Sequence, residues 1–323
     1  MSGGFTVVTT MKNEGAFLLE WVAHHKALGF DAILICTNDC ADPTREMALR
    51  LQQMGLARHH ATKPWAVTSI QRSALKQATR YPKVTGAEWL YVCDADEFLC
   101  VKLGDGSVRA LVAAAGAGAE VVSVPWRVFG PAGRRDYDDV PVTRQFILAE
   151  APPQRPVYPK SLFRGLDNVG RIGIHAPIAR DGLGRDLRRE LPGGVAHVPQ
   201  HHAMFVAGDV RFAQVNHYAL RTRDSFLVKR DRGRVNHSAQ GMEIDYWDRF
   251  DRAEVPCDAI RRYDEAVAGW LAHLQGDAVL AGLHAVSVAW HRERVAALKG
   301  RADHADILAA IGERQGRCVS SPS

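Results

Sequence analysis

The segment of residues 89–98 holds an apolar run that ends in three carboxylates, Asp94, Asp96 and Glu97. Side chains two positions apart in an extended strand point to the same side, so this spacing predicts that Asp94 and Asp96 face one ligand together. Two unpaired carboxylates held this close repel each other, and a divalent cation relieves that repulsion. The pattern predicts a metal site; the plainer interpretation is that these acids end a strand in solvent.

Alternating strand and helix patterns must position these carboxylates. The acids follow a predicted buried strand over residues 88–92, at the end where open α/β sheets bind their ligands. Before it, the sequence predicts strands at 5–11 and 32–36, and helices at 16–28, from Pro43 with Asp42 as cap, and at 69–78. This order predicts an α/β fold with a mostly parallel sheet flanked by helices.

Polar residues follow the first two predicted strands as well. They are Lys12, Asn13 and Glu14 after the first strand, and Asn38 and Asp39 after the second. Because the carboxyl ends of parallel strands meet at one edge of a sheet, we expect these side chains to form a pocket with Asp94 and Asp96. For Asn13 and Glu14 the alternative is helix capping, since a helix begins there.

Composition excludes several classes of protein. The 323 residues carry a formal charge of +5, too small an excess for duplex DNA or RNA but suited to anionic small molecules or an anionic membrane surface. No CxxC pair occurs among the six cysteines, which predicts reduced thiols. The first residues show no signal peptide and no window resembles a membrane span, so we expect a cytoplasmic protein without a transmembrane segment.

The later part of the chain is expected to be organised in three parts. Residues 130–139 form a polar, Gly-rich loop that carries Asp136 and Asp138. Residues 216–234 are too polar for a core and are expected to form a mobile lid. Residues 260–298 have a helical pattern, interpreted as a structural cap or oligomer surface, and residues 314–323 are expected to be disordered.

Several motifs, taken in order, resemble nucleotide-sugar glycosyltransferases of the family 2-like and family 92 group. The matching residues are Thr10 to Glu14, His24-His25, Asn38-Asp39, Asp42, Gln71, Trp89, Asp94 to Phe98, Trp126, Phe129-Gly130, Lys160-Ser161 and Asn216 to Tyr218. The resemblance covers about residues 5–235. It implies a GT-A fold, a Mn²⁺ or Mg²⁺ ion and a nucleotide-sugar donor, most often a UDP-sugar.

The resemblance also implies roles for individual residues. Gln71 and the strand-end residues Lys12, Asn13, Glu14, Asn38, Asp39 and Asp94 would bind the donor, together with Lys229 of a basic segment. His217 would complete the metal shell with Asp94 and Asp96, with His175 as the rival. The resemblance marks no residue as the base. An inverting transfer needs a carboxylate or imidazole near the acceptor hydroxyl, and the polar loop offers Asp136 or Asp138, each of which could equally be a solvated loop acid.

These observations predict a metal-dependent glycosyltransferase that moves a sugar to a hydroxyl of a carbohydrate or glycolipid in bacterial surface-polysaccharide synthesis. The catalytic domain would span 1–240, with a nucleotide-sugar half at 1–130 and an acceptor half at 131–240, followed by a helical extension at 241–323. One alternative is a nucleotidyltransferase, although residues 9–15 hold a single glycine where a Gly-rich loop would be needed. The other is a non-catalytic nucleotide- or sugar-binding module, with possible peripheral membrane association.

Overall fold

A computed structural model describes residues 4–65, 68–197, 205–233 and 242–319. Its strands are β1 (Phe5–Met11), β2 (Ala32–Thr37), β3 (Arg58–Ala61), β4 (Trp89–Val92), β5 (Glu97–Val101), β6 (Val121–Val128), β7 (Leu148–Ala149), β8 (Pro159–Arg164), β9 (Val169–Arg171), β10 (Ile178–Ala179), β11 (Arg189–Leu191), β12 (Val195–Ala196), β13 (Ala213–His217) and β14 (Val255–Pro256).

Helices lie between and after these strands. They are α1 (Gly15–Ala27), α2 (Thr44–Gln53), α3 (Ile70–Ala78), α4 (Pro82–Thr85), α5 (Val108–Ala113), α6 (Val142–Gln145), α7 (Arg223–Arg232), α8 (Ile244–Phe250), α9 (Asp264–Gln275), α10 (Ala278–Lys299) and α11 (Ala302–Val319), with a 3₁₀ turn at Ala259–Tyr263.

The main sheet has the strand order β12-β11-β6-β8-β4-β1-β2-β3, and β13 pairs with both β5 and β6. Strands β3, β2, β1 and β4 run parallel, while β8 lies antiparallel between β4 and β6. The carboxyl ends of β1, β2 and β4 therefore meet at one edge. The predicted fold class, a mostly parallel sheet flanked by helices with a helical C-terminal region, is confirmed.

The sheet is buried on both faces, which explains its nearly continuous apolar strands. Successive residues of a strand point to opposite faces, so Val7 joins the core beneath α1 whereas Val8 packs with Leu75 of α3 on the other side. Helices α9 and α10 pack against α1, so the C-terminal residues Leu274 and Leu280 belong to the same core as the first strand.

Three expectations about segments need correction, and the first is that the helix capped by Asp42 begins at Pro43. Helix α2 begins at Thr44 after Pro43, and the Asp42 carboxylate accepts hydrogen bonds from the backbone N–H groups of both Thr44 (3.0 Å) and Gly15 (2.8 Å). Asp42 thus joins the starts of α1 and α2.

The predicted polar lid at 216–234 contains buried structure in its described part. It includes the end of strand β13 and helix α7, and Asn216, Tyr218 and Phe226 are fully buried. Arg234 lies outside the described residues. The segment is a core element because its basic side chains are neutralised by buried acids, as described below.

The predicted disorder at 314–323 is wrong for residues 314–319, which continue helix α11. Ile311 is buried in a cluster with Trp247 of α8, and Arg314 forms an ion pair with Asp248, with N–O distances of 2.5 and 2.9 Å. These contacts fix the helix against α8. Residues 320–323 lie outside the described part of the chain. The described helices include none long and apolar enough to cross a membrane.

Two buried histidines of α1 make stability depend on pH. Burial lowers the pKa of His24 from 6.5 to about 4 and that of His25 well below its ordinary value. Below about pH 6.5 the imidazole of the unfolded chain binds a proton, whereas the buried imidazole of His24 stays neutral until about pH 4. Protonation therefore favours the unfolded chain, so the contribution of His24 to the free energy of unfolding is complete above pH 6.5 and is lost as the pH falls toward 4.

The free energy of unfolding falls when the pH is lowered from about 7 to about 4. We expect this fall to be about 3 kcal/mol smaller in His24→Gln, which corresponds to the size of the pKa shift. Urea unfolding at the two pH values measures this difference. His273→Gln, at an exposed position of α9, serves as the control. An acid-induced loss in His24→Gln as large as in the unsubstituted protein would contradict the assignment.

Candidate active site at the strand ends

The carboxyl ends of β1 and β2 are joined by polar side chains. The Lys12 ammonium lies 2.7 Å from a carboxylate oxygen of Asp39, and the Asn13 side-chain oxygen accepts a hydrogen bond from the Ala41 N–H (2.7 Å). Asn13 and Asp39 both adopt left-handed backbone conformations, with φ of 54° and 47°, which non-glycine residues rarely do. The Glu14 side chain, at the N-cap position of α1, makes no capping hydrogen bond, and the Gly15 N–H is bound by Asp42 instead, so Glu14 does not act as a cap.

The expected extended geometry at Asp94 and Asp96 is wrong, because they lie in the turn between β4 and β5. One carboxylate oxygen of Asp94 accepts a hydrogen bond from Gln71 (2.5 Å), and the other lies 2.8 Å from the Lys160 ammonium. Lys160 is fully buried and also lies 3.2 Å from Glu97. The turn therefore directs its two aspartates to different lysines.

Asp96 binds Lys229 of α7 at 2.6 Å, and the His217 Nε2 atom lies 3.7 Å from the same carboxylate oxygen. Burial by itself raises the pKa of Asp96, but the positive charge of Lys229 and the contact with His217 more than offset it, so the pKa lies well below its ordinary range. Lys229 also donates to the Ala219 carbonyl (2.7 Å), which fixes its ammonium at the turn.

Glu14 is buried beneath the strand ends and held by two arginines. Arg221 lies 2.9 Å from one of its oxygens and Arg232 forms an ion pair with the other. Arg221 also donates to the Ala95 carbonyl (3.1 Å) and covers the Phe17 ring at 3.6 Å. Burial raises the pKa of Glu14, but the two guanidinium groups bring it below the ordinary value.

Glu97 is buried more completely than the other acids of the turn. Its carboxylate accepts a hydrogen bond from the Asp94 N–H (2.9 Å) and lies beside Lys160. Burial raises the pKa of Glu97 to about 8, since the loss of water outweighs the attraction of Lys160, and the charge of Asp94 adds to the effect. Burial thus favours the protonated form of Glu97, and the Lys160 ammonium lies near both Glu97 and Asp94.

The residues at the turn offer few ligands for a divalent cation. Among the described residues, no three His, Cys, Asp or Glu side chains lie close enough to form a complete protein metal site. A Mg²⁺ ion bound with a nucleotide needs fewer, because it takes one or two carboxylates and obtains its other ligands from phosphates and water. Each aspartate is held by a lysine, Asp94 by Lys160 and Asp96 by Lys229, and Asp96 also has a histidine, His217, beside its carboxylate. Asp96 with His217 fits this requirement once Lys229 is displaced.

A cleft of about 400 Å³ opens at the carboxyl ends of β1 and β2, next to the ion pair of Arg232 with Glu14. Its lining residues come from the ends of β1 and β2 and from two helices, α7 and α10: Lys12, Asn13, Asp39, Cys40, Ala41, Asp231, Arg232, Trp290 and Arg294. The cleft thus combines three cationic side chains, amide and carboxylate groups and one indole ring. The interpretation of residues 260–298 as a structural cap or oligomer surface is incomplete, because α10 also forms a wall of this cleft.

Asn38 and His175, two further predicted residues, are not among those that line this cleft. Asn38 is half-buried and its side chain donates to the Thr62 carbonyl (3.2 Å). His175 has a backbone partner in the Pro159 carbonyl (3.1 Å), and burial lowers its pKa to about 4, so it is neutral at pH 7. Geometry therefore favours His217 over His175 as the histidine at Asp96.

Asp136 and Asp138 lie in the exposed loop between β6 and α6. The Asp136 side chain is 85% exposed and its carboxylate lies 3.7 Å from the Lys299 ammonium of α10. The backbone of this loop binds the start of α7, where Arg135 accepts a hydrogen bond from the Asp224 N–H (3.0 Å). The structure does not bring either acid into contact with the Asp94–Asp96 turn.

Sequence reasoning missed Trp290 and Arg294, which line the cleft with Arg232 of the predicted basic segment. Lys160 was part of a motif but had no assigned role, and it neutralises Asp94 from a fully buried position. A lysine inside the apolar strand 159–164 was the available signal for Lys160, since a charged residue is rarely buried without a partner. No sequence signal marks Trp290, because its position facing the cleft depends on how α10 packs.

Two solved structures resemble this chain only distantly. No protein-family profile matches the chain. Residues 1–349 of S. aureus TarS in complex with UDP are 13% identical, with a TM-score of 0.36, over 85% of this chain and 72% of that one. Glucosyl-3-phosphoglycerate synthase from Mycobacterium tuberculosis, in complex with Mn²⁺, UDP and phosphoglyceric acid, is 15% identical with a TM-score of 0.32, over 61% and 71%. Both TM-scores are below 0.5, so these superpositions are loose and do not identify an activity.

A sequence relative is more informative. A glycosyltransferase family 92 protein of Ricinus communis is 27% identical over 236 residues, which cover 68% of this chain and 36% of the relative. The chain therefore spans about a third of the length of this curated relative. The resemblance drawn from the motifs is confirmed: over two thirds of its length, the chain is homologous to a family 92 glycosyltransferase.

Proposed function

We propose that this protein is a glycosyltransferase that moves a sugar from a nucleoside diphosphate donor, a UDP-sugar, to a hydroxyl group. The proposal rests mainly on the cleft at the carboxyl ends of β1 and β2, which contains three cationic side chains. Its Arg232 is linked to the aspartate turn through Glu14 and Arg221, which donates to the Ala95 carbonyl. Homology to a family 92 glycosyltransferase supports the proposal.

The cleft has the chemistry that a nucleoside diphosphate requires. A flat base, a ribose diol and two phosphates need an aromatic or apolar surface, carboxylate or amide groups, and positive charge. Trp290 offers a ring surface, and Asn13 and Asp39 offer hydrogen-bonding groups. Arg232 and Arg294 place guanidinium groups at the cleft, where Arg232 is paired with Glu14 and Arg294 with Asp231. Lys229 adds a buried cation at the turn.

In the proposed reaction Asp96 and His217 would hold a Mn²⁺ or Mg²⁺ ion after Lys229 releases Asp96. Asp94 would add a ligand if Lys160 moved away. The ion would stabilise the negative charge of the departing diphosphate. The arginines of the cleft act on the same charge, because guanidinium groups form paired hydrogen bonds with phosphate oxygens. Gln71 positions Asp94 by holding the oxygen that Lys160 does not bind.

The transfer itself is proposed to occur with inversion. The acceptor hydroxyl attacks the anomeric carbon, the bond to the diphosphate oxygen breaks, and a base takes the hydroxyl proton. Asp136 or Asp138 remains the proposed base. Their loop binds the start of α7, which carries Lys229, so a small shift of this helix would move the loop relative to the cleft.

The residues after β1 and the acids of the turn also distinguish the proposed glycosyltransferase from two other functions. A nucleotidyltransferase needs a Gly-rich, basic loop after β1, whereas this chain has the sequence Lys12-Asn13-Glu14-Gly15 there. A non-catalytic binding module has no need for the buried carboxylates that the turn retains. We further propose a carbohydrate or glycolipid acceptor, and a cytoplasmic or peripheral membrane location in bacterial glycan synthesis.

Binding of UDP is expected to require a divalent cation and Asp96. Asp96→Asn keeps a hydrogen-bonding partner for Lys229 but removes one charged ligand, so UDP affinity in Mn²⁺ should fall roughly 100-fold, a loss of several kcal/mol. Affinity in chelator should be similar for both proteins. Isothermal titration of UDP into each protein, with Mn²⁺ and with chelator, measures the four values.

Asp306→Asn, at an exposed position of α11, is the matched control and should bind UDP as the unsubstituted protein does. Melting temperatures show whether each variant is folded. Equal UDP affinity with and without Mn²⁺ in the unsubstituted protein would exclude the metal role, and absence of UDP binding in both conditions would refute the proposed donor.

Lys229 and a divalent cation are expected to compete for Asp96. Lys229→Met leaves Asp96 buried without its cation, which should lower the melting temperature because an unpaired buried charge is costly. Mn²⁺ should then raise the melting temperature more in Lys229→Met than in the unsubstituted protein or in Lys83→Met, an exposed control. A smaller Mn²⁺ effect in Lys229→Met would show that the lysine does not occupy the cation position.

A further inference from the structure

Four aromatic side chains form a continuous cluster on the β6–β8 side of the turn. This aromatic wall consists of Trp126, Tyr158, His175 and Phe205. Tyr158 is central to it, with ring centroids 5.5 Å from Trp126, 5.0 Å from His175 and 4.6 Å from Phe205. Most of these rings are only partly buried, and Phe205 is 40% exposed.

The wall begins at the proposed reaction centre and leads to the surface. At its inner end the Trp126 ring lies 4.3 Å from the ring of His217, whose Nε2 atom is near Asp96. His217 is 5% exposed, so exposure increases along the cluster toward Phe205. The exposed Arg249 lies over the Tyr158 ring at 5.8 Å and adds a positive charge at the outer edge.

Strand order separates this wall from the nucleotide cleft. The cleft lies at the ends of β1 and β2, whereas Trp126 belongs to β6 and Tyr158 precedes β8. Strand β4, which leads into the Asp94–Asp96 turn, lies between the two sides in the order β6-β8-β4-β1-β2. A group bound on the wall would therefore face the turn from the side opposite to the nucleotide.

Two polar atoms at the inner end also indicate a ligand. The indole Nε1 of Trp126 and the Nδ1 atom of His217 are buried and have no hydrogen-bond partner among the described residues. Buried polar groups are nearly always hydrogen-bonded, and a missing partner suggests a bound molecule or water. The wall therefore combines ring faces with at least one donor, the indole N–H, near the reaction centre.

We propose that the aromatic wall binds the pyranose ring of a carbohydrate substrate, an inference that rests on the proposed function. The C–H bonds on one face of a pyranose carry partial positive charge and suit the negative face of an aromatic ring, while its hydroxyl groups need hydrogen-bonding partners at the edge. Tyr158 supplies the ring face, and Trp126 and His217 supply polar partners beside Asp96. The ring is that of the acceptor or of the transferred sugar.

Saturation-transfer NMR on the full chain, with UDP and Mn²⁺ present, tests this assignment. The probes are the methyl β-glycosides of glucose, galactose, mannose and N-acetylglucosamine at millimolar concentration. At least one should receive saturation from the protein, and Tyr158→Ala should weaken its binding about tenfold, the size expected for loss of one aromatic contact. Phe205→Ala, at a more exposed position, should weaken it less and provides a second variant if Tyr158→Ala does not fold.

Trp270→Ala, at a partly buried position of α9 away from the wall, is the control and should bind the glycosides normally. A second arm compares UDP with UDP-glucose and UDP-galactose by calorimetry. If Tyr158→Ala weakens the UDP-sugars but not UDP, the wall holds the transferred sugar; if it weakens only the free glycosides, it holds the acceptor.

The two proposals can fail separately. If UDP binds normally while no glycoside receives saturation and Tyr158→Ala binds both UDP-sugars as the unsubstituted protein does, the aromatic wall is an apolar cluster and the subsite is refuted. If glycosides bind through Tyr158 but UDP does not bind at all, the subsite stands as a carbohydrate site and the proposed glycosyl transfer from UDP is refuted.

Discussion

Neutralisation of buried carboxylates at the carboxyl edge of the sheet is the constraint on which the rest of this structure depends. Glu14 and Asp96 are ionised where water is largely excluded, and a buried charge without a partner costs several kcal/mol. Their cations come from residues 221–232, the segment that follows β13. Helix α7 and the residues before it must therefore lie against Glu14, at the start of α1, and against the turn that holds Asp96, which is why a segment so rich in arginine is buried.

The same constraint explains why the site is arranged before any ligand binds. Arg221 connects Glu14 to the backbone of the turn, and Lys229 connects the turn to α7, so the strand ends and the helix hold one another in position. A substrate that brings negative charge meets cations that are already oriented, and little reorganisation is needed. The left-handed backbone at Asn13 and Asp39 is held by different contacts, the hydrogen bond from the Ala41 N–H to Asn13 and the exposed ion pair of Lys12 with Asp39.

Much of the fold could be predicted because it depends on local patterns. Strand runs, helical periodicity and polar residues after strands identified the parallel sheet and the edge that carries the site. Properties that depend on tertiary packing were missed. The spacing of Asp94 and Asp96 was interpreted as extended, but the backbone turns there and sends each acid to a lysine distant in sequence. Likewise, nothing local shows that α10 would present Trp290 to a cleft formed by β1 and β2.

The position of α10 has a consequence for how the protein is made. The residues that begin the cleft, Lys12 and Asn13, leave the ribosome early, while Trp290 and Arg294 emerge only after most of the chain has been synthesised. The sheet can form as its strands appear, but the cleft lacks one wall until α10 docks. A nascent or truncated chain that ended before α10 would carry the aspartate turn without a finished cleft, so synthesis itself delays the appearance of a complete site.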